Sequence, residues 1–375
     1  MISFWSYKKE YKKYRPKFNK FFDQTLQSGQ IFFGPNLKNF EYEFIKKYNS
    51  KYGIAVGSGT DALLISLMSI NIKKGDEVIT ASNTAIPTIS AIINSGARPV
   101  LVDINEDYLI DTKKIEKKIT KKTKAIIPVH LYGKCCDMER IIKISNKYKL
   151  PIIEDCSQAQ GAKLNNKFVG TFGSLGCFSF YPTKILGGYG DGGFITTNDY
   201  QLYKKAKNIR FYGIDTVDKN NKFFNKYYSN EDGINSRLDE IQASILNLKL
   251  SFIDRSISRR RYLANLYRKE LFSSGIILPN ENLHNYHVYH LFTVYHSDRK
   301  KIINGLKKKN IETRIIYPYP IHKMNAYKSI FKNKKELKNS EKKAKGIFCL
   351  PLYPELKDQE VKKICNCIKK ILKKN

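Results

Sequence analysis

The sequence predicts an α/β protein with a mainly parallel central sheet sandwiched by helices, followed by a smaller α+β C-terminal domain. Two observations predict it. From about residue 52 to 200, short apolar runs alternate with helical patterns, and parallel strands buried on both faces read as such runs. After about residue 240 the pattern changes to one long helical stretch, then short strands mixed with Lys-rich helices. In order, 62–70 is an apolar helix and 77–80 a short strand. Residues 87–94 read as a helix closed by Gly96, followed by a strand over 98–103. Lys-Ala-Ile-Ile-Pro-Val-His at 124–130 reads as a buried strand, 138–148 as a helix and 151–155 as a strand ending on Asp155. Residues 238–257 form the long helical stretch, continued by Arg259-Arg260-Arg261, and the run from His290 to Tyr295 is a strand. The expected division is 1–250 for the large domain and 251–375 for the small one.

Composition narrows the classes. A hydrophobic share of 42% with 13% aromatics excludes a wholly disordered basic tail. No apolar run reaches the roughly 18–20 residues of a membrane-spanning helix, and residues 1–20 lack the apolar stretch of a signal peptide. A soluble, cytoplasmic protein without a membrane partner is expected. The net charge is +33, yet only 12 of the 67 basic residues are Arg, and the lysines are scattered in pairs and triplets. Nucleic-acid binders concentrate basic residues on one face and favour Arg, so a solvated lysine surface is the first reading. A field that gathers anionic small molecules is the second, and nucleic-acid binding the third. Seven irregularly spaced cysteines fit a reducing compartment, and Cys135-Cys136 and Cys365-x-Cys367 lack zinc-site spacing. His284, His287 and His290 recur every third residue but run into a strand, where that spacing does not put them on one face. They read as structural or surface histidines, and no metal is expected.

Four constellations carry chemistry, and parallel sheets place ligands in the loops at their strands' carboxyl ends. Gly57-Ser58-Gly59-Thr60 precedes a helix, where free amides and the dipole favour a phosphate; an ordinary helix cap would look the same. Asp155 ends a central strand, with Gln158 three residues on; alone it could be an N-cap or a salt-bridge partner. Lys184 closes Phe178-Ser179-Phe180-Tyr181-Pro182-Thr183-Lys184, and five glycines fall within 187–193. No other lysine lies between Lys167 and Lys204, so this amine is set apart, and a desolvated lysine becomes a nucleophile. The alternative is a surface lysine in a glycine loop. The fourth, Gly233 to Ala243, taken by itself is a helix start with acidic first-turn residues.

In this order, Gly-Ser-Gly-Thr-Asp-Ala-Leu, Glu-Asp-x-x-Gln-Ala-x-Gly-Ala, Phe-Ser-Phe-Tyr-Pro-Thr-Lys and Asn-x-Arg-x-Asp-Glu-Ile-Gln-Ala resemble the sugar aminotransferases of the DegT/DnrJ/EryC1/StrS type. The resemblance runs from Phe33-Gly34-Pro35 to Tyr317-Pro318-x-Pro320-x-His322. It implies fold type I and the cofactor pyridoxal 5′-phosphate, passing through pyridoxamine 5′-phosphate. It makes Lys184 the Schiff-base lysine and Asp155 the acid at the pyridine nitrogen. Gln158 would lie near the phenolic oxygen, and Gly59, Thr60 and Ser179 would form the phosphate cup. Asn235 would reach the phosphate from the neighbouring subunit of a homodimer. One departure stands out: Ala85 occupies the place where many members carry an aromatic that stacks on the ring. The Asn83-Thr84-Ala85-x-Pro87-Thr88 form is similar to the subgroup acting at C-3 of dTDP-linked keto sugars, which makes 3-amino-3,6-dideoxyhexoses for surface glycans and secondary metabolites. Phe33, Tyr317 and His322 are the candidate substrate contacts; for the proline run that holds the last two, a rigid loop with an exposed histidine is the alternative. The resemblance implies L-glutamate as donor, leaving as 2-oxoglutarate, with C-4 amination as the runner-up. Sugar dehydratases of the same fold replace the lysine by histidine, so Lys184 argues for amination.

Overall fold

The computed structural model describes residues 1–215, 228–331 and 337–373. In chain order the main elements are α1 (Tyr7–Gln27), α2 (Pro35–Tyr48), β1 (Tyr52–Val56), α3 (Gly59–Ser69), β2 (Glu77–Ala81), α4 (Ile86–Asn94), β3 (Arg98–Val102), β4 (Thr123–Ile127), α5 (Met138–Tyr148), β5 (Ile153–Asp155), β6 (Leu175–Ser179), β7 (Gly193–Thr197) and α6 (Tyr200–Ile209). Then come α7 (Glu240–Leu250), α8 (Ile253–Leu271), β8 (Phe292–Tyr295), α9 (Arg299–Lys308), α10 (Lys338–Gly346), β9 (Ile347–Leu350) and α11 (Asp358–Lys373).

Strands β1-β7-β6-β5 form one ladder and β3-β2-β4 another. Parallel bridges from Ile126 to Ile152 and from Val129 to Asp155 join them into one sheet, β1-β7-β6-β5-β4-β2-β3. Only β7 runs antiparallel to its neighbours, so the sheet is mainly parallel, as expected. Successive side chains on a strand face opposite ways. On β6, Cys177 meets Ser66 and Ala62 of α3, while Phe178 packs edge-on to Phe44 of α2. Helices therefore cover both faces.

Two expectations change in detail. The strand expected over 124–130 pairs with β2 only to Ile127; beyond it Pro128, which has no N–H to donate, accepts from Asp155 N–H at 2.9 Å and Val129 keeps a single parallel bridge to Asp155. The single helix expected over 238–257 is two: α7 ends at Leu250, and Phe252 leaves helical geometry to stack on Tyr14 of α1, ring centroids 4.6 Å apart. Below that break, α8 links two hydrophobic cores. Ile253 and Ile257 belong to the core of the large sheet; Leu263, Tyr267 and Leu271 belong to the second, built on the antiparallel β8–β9 pair and α11. Ile2 joins the second core and pairs through its backbone with Asn310 and Glu312, which ties the N-terminal segment to the C-terminal region.

Candidate active site

The loops at the carboxyl ends of β1, β2, β5 and β6 converge on a cavity of about 540 Å³, within the range of small-molecule sites. Its wall includes Gly59, Thr60, Asp155, Gln158, Ser179 and Lys184, six of the residues singled out from the sequence, and also Ala85 and Tyr317.

Helix α3 supplies the first part. Ser58 is its N-cap, its side chain accepting from Asp61 N–H at 3.1 Å, so the amides of Gly59 and Thr60 keep no partner within the helix. A Cβ on Gly59 would lie 2.5 Å from Ser179 Cβ, so only glycine lets the helix start and the end of β6 close into one concavity. Two free amides, a hydroxyl and a positive dipole end fit a phosphate.

Asp155 is buried at the end of β5. Its Oδ2 accepts from the Thr88 hydroxyl at 2.8 Å and its Oδ1 from Ser157 N–H at 3.1 Å. Behind it, the Glu154 carboxylate accepts from the amides of Gly170, Phe172 and Gly173 and pairs with His130 Nε2 at 3.0 Å. His130 Nδ1 in turn accepts from Cys136 N–H. With Cys156, these residues form a cluster of metal-ligand types. The carboxylate and imidazole are already satisfied, and burial raises the Cys156 thiol far above its usual range; the cluster is a brace for the strand that carries Asp155.

Lys184 stands in the turn after β6, its backbone N–H bonded to Tyr181 O. Among the described residues its amine has no hydrogen-bond partner, and burial lowers its pKa to about 8 against the opposing pull of Asp155. The nearby glycine run is explained by packing: a Cβ on Gly188 or Gly192 would press on Gln242 or Leu238. The fourth constellation is thus a brace within this chain. Glu240 caps α2 by accepting from the amides of Gly34, Asn36 and Leu37, and Gln242 accepts from Tyr189 N–H.

Gln158 is held between two tyrosines with left-handed backbones, Tyr132 (φ 59°) and Tyr317 (φ 60°). It accepts from Tyr132 N–H at 2.9 Å and donates to Tyr317 Oη at 2.7 Å. Such φ values in bulky residues are costly and cluster at functional sites.

Three expected residues lie outside this cavity. Asn235 is exposed beside the phosphate loop, its neighbour Ser236 accepting from Gly57 N–H and donating to Asp61. Phe33 packs edge-on to Phe211. His322 is buried, not exposed, and pairs with Glu341 at 2.9 Å. Thr88, Tyr132 and the Glu154–His130 brace were not anticipated; the turn Leu131-Tyr132-Gly133 after a strand was the one available signal.

An amine of lowered pKa, a buried carboxylate and a helix start shaped for phosphate line one cavity, and this donor set fits a pyridoxal-phosphate enzyme. Comparison agrees. The model of the DegT/DnrJ/EryC1/StrS aminotransferase family matches residues 13–369. The chain is 41% identical to dTDP-3-amino-3,6-dideoxy-alpha-D-galactopyranose transaminase of Aneurinibacillus thermoaerophilus, covering 98% of this chain and 99% of that one. It is 37% identical to dTDP-3-amino-3,4,6-trideoxy-alpha-D-glucose transaminase of Micromonospora megalomicea subsp. nigra, covering 98% of each. The crystal structure of S. venezuelae DesV in complex with a ketimine intermediate superposes with a TM-score of 0.94 at 34% identity, over 100% of this chain and 99% of that one. The chain belongs to the DegT/DnrJ/EryC1/StrS aminotransferase family. It is a transaminase of fold type I, and its cofactor is pyridoxal 5′-phosphate.

Proposed function

We propose that the protein transfers an amino group from L-glutamate to C-3 of a dTDP-linked 3-keto-6-deoxyhexose, giving the 3-amino-3,6-dideoxyhexose. The observation that carries this reading is full-length similarity to two dTDP-3-amino sugar transaminases, together with a matching cofactor cavity. Bound pyridoxal phosphate supplies the electron sink that makes a proton on the amine-bearing carbon removable. The chain's own residues do the rest. The amides of Gly59 and Thr60 and the Ser179 hydroxyl hold the phosphate. Asp155, fixed by Thr88 and Ser157, presents a carboxylate that keeps the pyridine nitrogen protonated. Lys184, neutral in a useful fraction near pH 8, would hold the cofactor through its amine and would move the proton at the reacting carbon. Gln158 and Tyr317 present polar atoms to the same space.

The protein acts as a homodimer in which Asn235, exposed in the single chain, reaches the phosphate of its partner's site. The deciding experiment offers the enzyme glutamate with dTDP- and UDP-linked 3-keto and 4-keto 6-deoxy sugars and identifies products by mass and NMR. A 3-amino product from the dTDP-3-keto sugar is expected. Product from a 4-keto sugar alone overturns the assignment.

A further inference from the structure

Lys184 also walls a second cavity, of about 610 Å³, which shares Gln158, Tyr181 and Tyr317 with the first. The amine therefore stands between the two. Phe4, Trp5 and Tyr7 of the N-terminal segment form one side, where Glu312 accepts from Phe4 N–H at 3.0 Å and pairs with Arg314. Thr183 and His290, the latter only 5% exposed, add further polar groups.

This imidazole differs from the other buried histidines, each of which has at least one partner: His322, whose Nδ1 is also enclosed without one, pairs through Nε2 with Glu341. His130 uses both nitrogens, and His287 accepts from Tyr289 N–H and stacks on that ring. Among the described residues, neither nitrogen of His290 has a hydrogen-bond partner, and Nδ1 is fully enclosed. Trp5 Nε1 in the same wall is likewise enclosed without one. His290 Nε2 is the nitrogen that keeps access to the cavity, and an unpartnered polar atom on so buried a ring points to a ligand that supplies the partner.

The chemistry of the wall selects that ligand. Burial and the flanking cations Lys184 and Arg260 hold the His290 imidazole neutral, well below its usual titration range. With Nδ1 enclosed, the neutral ring presents Nε2 alone, as one donor or one acceptor, which suits a hydroxyl and gives no net charge to a carboxylate or phosphate. The aromatic side suits the C–H face and deoxy carbon of a hexose. Arg314, 60% exposed, is already paired with Glu312, so its guanidinium does not face an anionic ligand uncompensated.

We propose that the second cavity takes the hexose ring of the sugar nucleotide and that His290 hydrogen-bonds a ring hydroxyl there, making it a specificity-determining residue for the acceptor. This rests on the aminotransfer reading above and assigns the acceptor its side of Lys184.

The test uses His290→Phe and His290→Asn holoenzymes, the second retaining a donor and an acceptor. The glutamate and sugar half-reactions are followed separately by cofactor absorbance. Binding of a dTDP-6-deoxyhexose without a ketone is measured by calorimetry. His290→Phe is expected to weaken sugar-nucleotide binding by about 10-fold or more and to raise its KM alike, with the glutamate half-reaction changed less than twofold. His290→Asn should recover part of the loss. Equal slowing of both half-reactions overturns the proposal, because the residue then serves Lys184 and not the sugar. Unchanged sugar binding in a folded, cofactor-loaded His290→Phe enzyme overturns it while leaving the aminotransfer reading intact. A wild type that reacts with glutamate but binds no sugar nucleotide overturns both.

Discussion

Replacing Lys184 tests the physical basis of the site apart from its chemistry. In the folded apoenzyme the amine titrates near 8, whereas in the unfolded chain it titrates near its ordinary 10.5. Between these values the unfolded state binds the proton and the folded state does not, so stability rises with pH by about 1.4 kcal/mol per unit. Below about pH 8 the folded state carries the full cost of an enclosed ammonium, at most about 3 kcal/mol; above 10.5 it carries none. Lys184→Met removes the titration. The variant's stability advantage over the wild-type apoenzyme should be greatest at pH 7 and smaller by about 2 kcal/mol at pH 9.5. Urea unfolding of both apoproteins at matched concentration from pH 7 to 10 measures it, since other titrations cancel in the difference. A constant difference across that range would refute the argument that burial controls this amine. The same shift bears on rate: at pH 7.5 about a quarter of the lysine is neutral, against roughly 0.1% for a free one.

Gly59→Ala places a methyl against Ser179 and should cost about 1–3 kcal/mol of stability and weaken pyridoxal phosphate binding, read by cofactor titration and thermal melts. Thr88→Val removes the donor to Asp155 Oδ2; a loss of about 1–2 kcal/mol in urea unfolding and severalfold weaker cofactor binding are expected. Mixing Lys184→Ala and Asn235→Ala chains should restore about half the wild-type activity per mixed dimer, because one complete site re-forms. Mixtures no more active than the parents would exclude a shared site.

How much of this was legible depended on the range of the interactions. Lys184 was readable because its neighbourhood is local: aromatics before it, glycines after it and no other lysine from Lys167 to Lys204. Asp155 was readable because an acid ending an apolar strand must lie at the sheet's mouth. Thr88 was not, since its contact with Asp155 exists only once α4 is laid beside β5, 67 residues away in sequence. His290 was read with His284 and His287 as structural or surface. Local pattern shows neither that His284 is exposed and His287 satisfied, nor that His290 has no partner and faces a cavity. The Gly233–Ala243 run was readable as a motif but not as a brace, because Glu240 caps a helix more than 200 residues earlier. Helix continuity through Ser251 failed for a similar reason: Phe252 leaves the helix for a partner on α1.

The net charge of +33 then acquires a different meaning. A site for a phosphate, a pyrophosphate and a dicarboxylate would seem to call for lysines, and the chain has many. Yet among the described residues the walls of the two cavities together hold one lysine and one arginine, and the proposed phosphate cup consists of amides and a hydroxyl. The reason lies in what Lys184 must do. A second amine within reach would compete for the cofactor's carbonyl, whereas helix amides bind the anion without being nucleophiles. Arginine at the exposed side is equally safe, because a guanidinium does not lose its proton at working pH. On the role proposed for Lys184, the lysine-free stretch on either side of it keeps competing amines off the flanking chain, and the lysines elsewhere are free to serve the surface.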